Sequence, residues 1–495
     1  MRLPQISRLQ TVPLSEYPRL TGSNFPIDAT LKSWPSLAVT RVILTVVLAL
    51  LVSSCAISPR KGADGPVDGW KTTSTWHGRD SIKLSDYDRL VPVSELRERD
   101  FPSWVRRDGI GTPAVLWRAP SEDQPFVSPI GTALPVTYLE QDGRLQIYDS
   151  LNSNTVEVGG SRLKLAVNYT APLAYMRKQG DLKLPVVRAM IKTDEYDEAT
   201  GIYRFEPVDP TRIPVIFVHG IKSSPSIWKN MVNRVRADDV VRKNYQFWSY
   251  SYPTGVPILY SGMRLREEIQ RMQELYNPGG VHPQMDNMVI IGHSMGGLVT
   301  ELQLKDSDNA FWPEDRPRPE AMGIREDQAK VLSGCVFFEA IPQIKRAIFI
   351  ATPHRGSDIA VSKIGGIIAG LIKLPTELTG AVISLAALDP FFAKEFGYEG
   401  HIPNSVDDLR PNSDFLKGLR GLPFKKPLPI HSIIALGEDP LTGPVAERND
   451  GLVSYGSAHL DEAVSEKTVL SNHRAPNHPG AITEVVRILH LHVKE

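Results

Sequence analysis

The amino-acid sequence predicts an α/β fold built on a mostly parallel, doubly wound sheet. Short apolar runs recur in the C-terminal half of the chain and alternate with helix-like segments, and one run leads into Gly-His-Ser-Met-Gly at residues 292–296. Continuous apolar runs are typical of strands that are buried on both faces of a parallel sheet. Alternation of such strands with helices is typical of doubly wound folds.

The chain has 495 residues, which suffices for one large domain with additional segments. We predict a signal segment at residues 1–55, a tether at 56–69, an N-terminal pre-domain at 70–200 and a catalytic domain at 201–495. The pre-domain contains strand-like patterns, for example at residues 144–148 and, with a Gly-Gly turn, at 155–160. Its sequence contains no catalytic pattern.

The charge balance gives no sign of a nucleic-acid partner. Lys plus Arg and Asp plus Glu both number 56, and the formal net charge is +0, whereas nucleic-acid-binding domains carry basic patches. The two cysteines, Cys55 and Cys335, are too few for a disulfide-rich scaffold. Cys335 stands in an apolar context, so we expect it to be buried and inert.

The N-terminal region has the layout of a secretory signal. A basic residue precedes the apolar run at 42–52, and two serines lead from that run to Cys55. The run is shorter than the about 20 apolar residues needed to span a bilayer. Val-Ser-Ser-Cys at 52–55 resembles the bacterial lipobox, which implies lipid attachment at Cys55 and an outer-membrane lipoprotein of the cell envelope. The alternatives are an uncleaved membrane anchor and an internal apolar run with a chance cysteine.

Six strands are predicted in the catalytic domain from its apolar runs. They lie at residues 214–218, 246–252, 288–292, 346–351, 431–436 and 467–470. Helices are predicted at 262–275, 298–304 and 480–489. His490 and His492 follow the last helix in a polar stretch, and we expect both at the surface.

The pattern Gly292-His293-Ser294-Met295-Gly296 is a G-x-S-x-G nucleophile elbow. The serine of such an elbow stands at the tip of a tight strand-to-helix turn, and the two glycines remove side chains that would collide with the passing backbone. An apolar strand precedes the pattern, a helical segment follows it, and it occurs once in the chain. We therefore predict Ser294 to be a nucleophile rather than part of a structural turn.

The strand at 214–218 is followed by His219 and Gly220, which begin a loop. Acyl transfer needs two backbone N–H donors directed at the oxygen of the tetrahedral intermediate. We predict that they come from Met295, directly after the nucleophile, and from Ile221 in this loop. His219 precedes the serine in the chain, so we expect it to be structural and to form hydrogen bonds within the loop.

Asp450 and His473 are the predicted acid and base, because in an α/β-hydrolase the acid and then the histidine follow the serine along the chain. Asp450 stands beside a glycine, where a loop carboxylate can turn toward an imidazole; Asp439 is the alternative acid. His473 follows the last predicted strand. The alternative base, His478, directly precedes a proline and is expected to open the last helix.

Four stretches together resemble bacterial lipase/esterase-like α/β-hydrolases of the triacylglycerol-lipase and inositol-deacylase-like branch. The stretches are VIFVHG at 215–220, GHSMGG at 292–297, ATPHRGS at 351–357 and NDGLVSYGSAHL at 449–460. The resemblance covers about residues 201–495 and implies a nucleophile at Ser294, an acid at Asp450 and a base at His473. His354, in the third stretch, precedes the acid in the chain, and we expect it to be structural and to shape the pocket floor.

A segment at about 357–428 separates two predicted strands, and insertions of this length are usually lids. Its apolar stretches at 364–374 and 378–388 fit either ordinary core helices or a mobile lid over acyl chains. Together with a lipid anchor, the segment favours a hydrophobic or lipidic ester as substrate; no cofactor and no metal site are expected. The alternatives are an acyltransferase with the same three residues and a non-enzymatic envelope lipoprotein that retains the fold.

Overall fold

The computed structural model describes residues 69–97, 103–121, 124–179, 190–196, 199–364, 372–389, 402–425, 427–439 and 444–495. These residues fall in one compact unit, Gly62–Glu495. The predicted signal segment, Cys55 and all of the predicted tether except Gly69 lie outside the described residues. Within the described ranges, each helix is too short or too polar to cross a membrane. The predicted domain boundary at residue 200 stays a prediction.

The N-terminal part of the described chain is dominated by β-structure. Its strands are β1 Ser74–His77, β2 Arg89–Pro92, β3 Arg106–Arg107, β4 Thr112–Arg118, β5 Thr132–Gln141, β6 Arg144–Asp149, β7 Thr155–Val158, β8 Ser161–Lys164 and β9 Val167–Asn168; its helices are α1 Trp70–Thr73, α2 Ala171–Gln179 and α3 Thr193–Tyr196. Five strands form a sheet in the order β1-β6-β5-β4-β2, antiparallel except for the β1–β6 pair. The β7–β8 hairpin turns at Gly159 and Gly160, both with positive φ, which confirms the strand-and-turn pattern at 155–160.

The C-terminal part is built around a seven-stranded sheet. Its strands are β10 Gly201–Arg204, β11 Ile213–Val218, β12 Tyr245–Ser251, β13 Met288–His293, β14 Ile344–Ile350, β15 Ile430–Ala435 and β16 Ser465–Val469. The helices are α4 Lys229–Val235, α5 Asp239–Asn244, α6 Ile258–Tyr276, α7 Met295–Glu301, α8 Glu326–Val336, α9 Asp358–Ile364, α10 Thr376–Leu388, α11 Ser405–Asp408, α12 Asp414–Gly421, α13 Tyr455–Ala458 and α14 Pro479–Lys494. The strand order is β10-β12-β11-β13-β14-β15-β16, and all neighbours are parallel except β10 and β12. This is the mostly parallel sheet of the α/β-hydrolase fold, as predicted.

Helices cover both faces of this sheet. On β11, Ile216 belongs to the apolar cluster that contains Leu265 of α6, whereas its neighbour Phe217 belongs to the cluster that contains Val485 of α14. Because successive side chains of a strand point to opposite faces, the two clusters lie on opposite sides of the sheet. The continuous apolar character of the strands follows from this double burial, and the doubly wound prediction is confirmed.

Several helix boundaries differ from the prediction; helix α6, predicted at 262–275, begins four residues earlier, at Ile258. Helix α7 begins at Met295, three residues before the predicted start at 298, because the turn at the serine passes directly into the helix. Helix α14 continues to Lys494, and the prediction that His492 lies at the surface is wrong. His492 is buried: its Nδ1 accepts from Arg346 Nε at 3.1 Å and its Nε2 donates to the carbonyl of Asn287 at 2.9 Å.

Helices α9 to α12 form an insertion between β14 and β15, where the sequence predicts a lid at about 357–428. In α10, Leu378 and Leu385 are buried in the cluster that also contains Leu332 of α8. Ile383 and Leu388 of the same helix are 51% and 55% exposed. One side of α10 is therefore packed like a core helix, and another side presents apolar side chains to solvent. Most of the apolar stretch at 364–374 lies outside the described residues.

Candidate active site

Ser294 stands at the tip of a sharp turn between β13 and α7. Its φ of 55° and ψ of −133° are unusual for a residue other than glycine and mark a strained elbow. A Cβ on Gly296 would lie 2.3 Å from the carbonyl oxygen of His219, and one on Gly292 would lie 2.6 Å from Cα of Gly297. Neighbouring backbone therefore lies too close to positions 292 and 296 for a side chain, as the two glycines of the pattern predict. The Ser294 N–H donates to the carbonyl of Ile350 at 3.0 Å, which fixes the elbow to β14.

The structure brings Ser294, His473 and Asp450 together in one hydrogen-bonded chain. His473 Nε2 lies 2.8 Å from Ser294 Oγ, and His473 Nδ1 lies 2.7 Å from Asp450 Oδ2. The Asp450 side chain is 1% exposed and that of His473 is 17% exposed. These are the distances and the order required for a base that takes a proton from a serine while an acid orients its ring.

Asp450 is fixed by its own loop. Its Oδ1 accepts hydrogen bonds from the backbone N–H groups of Leu452 at 2.9 Å and Val453 at 2.7 Å. Its carbonyl accepts from the N–H of His473 at 3.0 Å. One carboxylate oxygen is therefore held by its own loop, and the other is turned toward the imidazole. Asp450 thus binds His473 twice, through the ring and through the backbone N–H.

The alternative acid, Asp439, and the alternative base, His478, take no part in this hydrogen-bonded chain. Both ring nitrogens of His473 are taken by Ser294 and Asp450, so Asp439 is not its partner. His478 caps helix α14, where its Nδ1 accepts from the N–H of Gly480 at 3.1 Å. That contact matches the helix-entry role expected from the proline that follows it.

His293, the variable residue before the serine, has a role that the sequence analysis missed. Its Nε2 donates to the backbone carbonyl of His473 at 2.9 Å, and the two rings are 4.9 Å apart. Burial, and then the neighbouring His473, hold the pKa of His293 well below its usual value, so the ring is neutral. No sequence signal identifies this contact, because the x positions of G-x-S-x-G accept many residues.

The predicted oxyanion donors flank the serine. Met295 follows it directly, and Ile221 follows Gly220, on which a Cβ would lie only 2.7 Å from Ser294 Cβ. In the described part of the chain, neither the Ile221 nor the Met295 N–H donates to another group. Lys222, next in the loop, has a φ of 50°, and its N–H donates to Thr254 Oγ1 at 3.2 Å. The loop is thus held against the elbow with these two donors available.

His219 is fully buried and hydrogen bonds within its loop, as predicted. Its Nδ1 donates to the Gly220 carbonyl at 3.1 Å, and its ring stacks on Tyr252 with centroids 4.6 Å apart. Burial lowers the pKa of His219 to about 4. The hydrogen-bond partner of the Ser294 hydroxyl is His473 rather than His219.

His354 belongs to a buried ionic chain behind the elbow. His354 Nδ1 lies 2.8 Å from Glu301 Oε2, and Lys305 Nζ lies 2.6 Å from Glu301 Oε1. Burial alone would raise the pKa of Glu301, but the charges of Lys305 and His354 outweigh burial and lower it. Lys305 also donates to the carbonyl of Leu419 in α12 at 2.9 Å. This chain connects the elbow helix to the insertion, which extends the structural role predicted for His354.

Cys335 is buried, as expected, and burial raises the pKa of its thiol to about 12. Among the described residues, no group of three or more His, Cys, Asp or Glu side chains is placed to hold a metal ion.

Comparison with protein families gives one match over part of the chain. The family described as PGAP1-like alpha/beta domain matches residues 209–314. That span includes the loop at 219–222 and the elbow, but neither Asp450 nor His473. Among curated proteins, no match is found.

Solved structures give distant likenesses. The mature form of the lipase BlEst2 of Bacillus licheniformis is 16% identical over 58% of this chain and 97% of its own, with a TM-score of 0.35. A lipase-esterase related protein of Clostridium acetobutylicum is 11% identical over 59% of this chain and 98% of its own, with a TM-score of 0.29. A structure from work on carboxylesterases of the ammonia-oxidizing thaumarchaeon Nitrososphaera gargenis is 13% identical over 59% of this chain and 95% of its own, with a TM-score of 0.31. The strand order and the elbow, rather than these likenesses, define the fold.

Proposed function

We propose that this protein is a serine hydrolase that cleaves carboxylic esters, with Ser294 as nucleophile, His473 as base and Asp450 as the acid that orients it. The observation that carries the proposal is the continuous hydrogen-bonded chain from Asp450 Oδ2 through His473 to Ser294 Oγ. A non-enzymatic relative that only retained the fold would have no need of this arrangement at a strained elbow.

The chemistry follows from the positions of these groups. His473 Nε2 takes the proton of Ser294 while Oγ attacks the ester carbonyl, and the negative oxygen that forms is stabilised by the N–H groups of Ile221 and Met295. The imidazolium then gives its proton to the departing alkoxide, which leaves as an alcohol, and the acyl group remains on Ser294 Oγ as an ester. Water, deprotonated by His473, attacks the acyl ester and releases the carboxylic acid and free Ser294.

We propose hydrophobic or lipidic esters as substrates. Ile383 and Leu388 of α10 expose apolar side chains on the insertion, and Ile359 of α9 is 38% exposed. Exposed apolar side chains on the insertion favour contact with an apolar substrate or a lipid surface. The proposal also places the protein in the cell envelope through a lipid on Cys55, as the lipobox-like sequence predicts.

The proposal is tested on the full-length protein with a fluorophosphonate probe and a panel of p-nitrophenyl esters of graded acyl length. Wild type should be labelled and should hydrolyse at least one ester, whereas Ser294→Ala should lose labelling and about 10⁶-fold of its turnover. Ser161→Ala, an exposed serine of β8, is the matched control and should behave as wild type. Labelling that persists in Ser294→Ala would rule out this nucleophile. Product analysis with an added alcohol separates transfer to an alcohol from transfer to water.

A further inference from the structure

A cavity of about 870 Å³ lies beside helix α10, and its lining does not include Ser294, His473, Asp450 or the loop at 219–222. Its walls come from the first turn of α6, from α8 and α10, and from residues 309–314 and 402–415. The volume lies within the range of about 300–1,000 Å³ that is typical of small-molecule sites. The cavity is therefore large enough for a ligand of its own.

The walls are apolar and rich in aromatic rings. The aromatic lining residues are Tyr260, Phe311, Trp312 and Phe415. Aliphatic side chains of α8 and α10, such as Leu332, Val382 and Leu385, complete the apolar surface. Such walls suit a long hydrocarbon chain, and aromatic faces also attract quaternary ammonium groups.

Among the described residues that line the cavity, every charged side chain is acidic: Glu314, Asp407, Asp408 and Asp414. Asp414 pairs with Lys417 at 2.8 Å, and Asp407 pairs with Arg410 at 3.5 Å, but neither of these two cations belongs to the lining. The Lys417–Asp414 pair is largely exposed and the Arg410–Asp407 pair is partly exposed, so solvent screens both pairs and they neutralise the acids only weakly. A carboxylate ligand would meet repulsion here, whereas a cationic head group would be attracted.

Asp408 is the buried member of this group. Its Oδ2 accepts from the N–H of Ile258 at 2.7 Å, which joins α11 to the start of α6 at the cavity wall. Burial raises the pKa of Asp408 to about 7. A bound cation near this carboxyl would favour its charged form.

We propose that this cavity binds an amphiphile with a cationic head group, with its hydrocarbon chain against α8 and α10 and its head group among the aromatic rings and carboxylates. The proposal does not depend on the ester hydrolysis proposed above, because the lining shares no residue with that site.

The test uses full-length Ser294→Ala protein, in which the probe cannot be turned over. Binding of dodecyltrimethylammonium and of dodecanoate, each below its micellar concentration, is measured by isothermal titration calorimetry. The cation should bind at least about tenfold more tightly than the carboxylate. Equal binding, or tighter binding of dodecanoate, would overturn the proposal.

Two filling variants locate the binding. Val382→Trp and Ala310→Trp place a large ring inside the cavity and at its rim, and each should weaken binding of the cation at least tenfold. Val464→Trp, at a position that is 65% exposed and outside the lining, is the matched control and should bind as the parent does. Ala310 is exposed, so its variant remains informative if Val382→Trp fails to fold. Cation binding that survives in a folded filling variant would also overturn the proposal.

Charge variants test the head group. Glu314→Gln combined with Asp414→Asn should reduce the preference for the cation to about threefold or less. The control combination, Glu320→Gln with Asp142→Asn, removes two exposed acids outside the lining and should leave the preference unchanged. Fluorophosphonate labelling of the wild type reports separately on the hydrolase proposal, so either idea can fail without the other.

Discussion

His293 donates a hydrogen bond to the backbone carbonyl of His473 at 2.9 Å, although 180 positions separate the two residues in the sequence. Because His293 directly precedes Ser294, this contact fixes the loop of the proposed base relative to the proposed nucleophile. The low pKa of His293 keeps its ring neutral, so the contact should persist across the physiological pH range.

The first prediction concerns this positioning contact. In His293→Leu, the loop of His473 loses its anchor, and we expect kcat on a soluble ester to fall about fivefold, which corresponds to one hydrogen bond of about 1 kcal/mol. KM should change less than about twofold, because the His293 ring is buried and bonded to the His473 carbonyl. His282→Leu is the control, since it removes a histidine outside the site. An equal loss of kcat in both variants would assign the effect to stability instead.

The second prediction separates the two candidate bases. His473→Ala should lower the initial rate by three or more decades, of the order seen when a triad histidine is removed. His478→Ala should lower it less than about tenfold, because it removes only a helix cap. Initial rates on one soluble ester decide the matter, and the reverse pattern would move the base to His478.

The third prediction concerns the close approach of the loop at 219–222 to the elbow. A methyl group at Gly220 would lie 2.7 Å from Ser294 Cβ and 3.0 Å from the carbonyl of His293, so Gly220→Ala must displace one of them. We expect kcat/KM to fall about 100-fold, as shifts of about 1 Å in a catalytic site do. At Gly421 a Cβ would meet nothing within 4 Å, so Gly421→Ala should keep wild-type kcat/KM.

The fourth prediction concerns pH and stability. The pKa of His219 is lowered to about 4 in the folded protein, against about 6.5 when unfolded. The unfolded chain therefore binds the proton first, so the free energy of unfolding is highest above pH 6.5 and falls as the pH drops toward 4. The loss from this residue should be about 3 kcal/mol. Urea unfolding at pH 7, 5.5 and 4.5 should show a smaller loss in His219→Phe than in wild type; identical losses would contradict the prediction.

The fifth prediction concerns attachment of the protein to the membrane through Cys55. Cys55→Ala should abolish lipid attachment and release the protein from the membrane fraction, because the lipobox-like sequence would lose its acceptor thiol. Metabolic labelling with a fatty-acid analogue and high-salt fractionation measure both effects. A variant that still pellets with membranes at high salt would indicate that the run at 42–52 is itself the anchor.

The sequence predicted strands β11 to β16 and the positions of Ser294, Asp450 and His473 because these depend on local patterns; it did not predict β10, the short antiparallel edge strand at Gly201–Arg204. An apolar run reports burial on both faces of a sheet, and an elbow needs its glycines where the backbones touch. The structure brings the three residues together, and their catalytic roles remain a prediction.

Contacts between distant segments could not be predicted in this way. The bond from His293 to the His473 carbonyl uses a variable position and a backbone atom, and neither leaves a pattern. His492 looked exposed in its polar stretch, but its partners, Arg346 and the carbonyl of Asn287, lie 146 and 205 positions away in the sequence. The Glu301–Lys305 pair lies at ordinary helical spacing, so only the packing shows that it is buried.

The separation of Ser294 from His473 along the chain has a consequence for synthesis. The two residues are 179 positions apart, and β15, Asp450 and β16 lie between them. At about 5–20 residues per second, translation needs roughly 10–35 s to pass from one to the other. During that interval the elbow can emerge from the ribosome, but His473, the hydrogen-bond partner of the Ser294 hydroxyl, has not yet been synthesised. If Ser294 and His473 act as proposed, a nascent chain therefore lacks the base until residue 473 has been made, and chains that terminate before it should have no esterase activity.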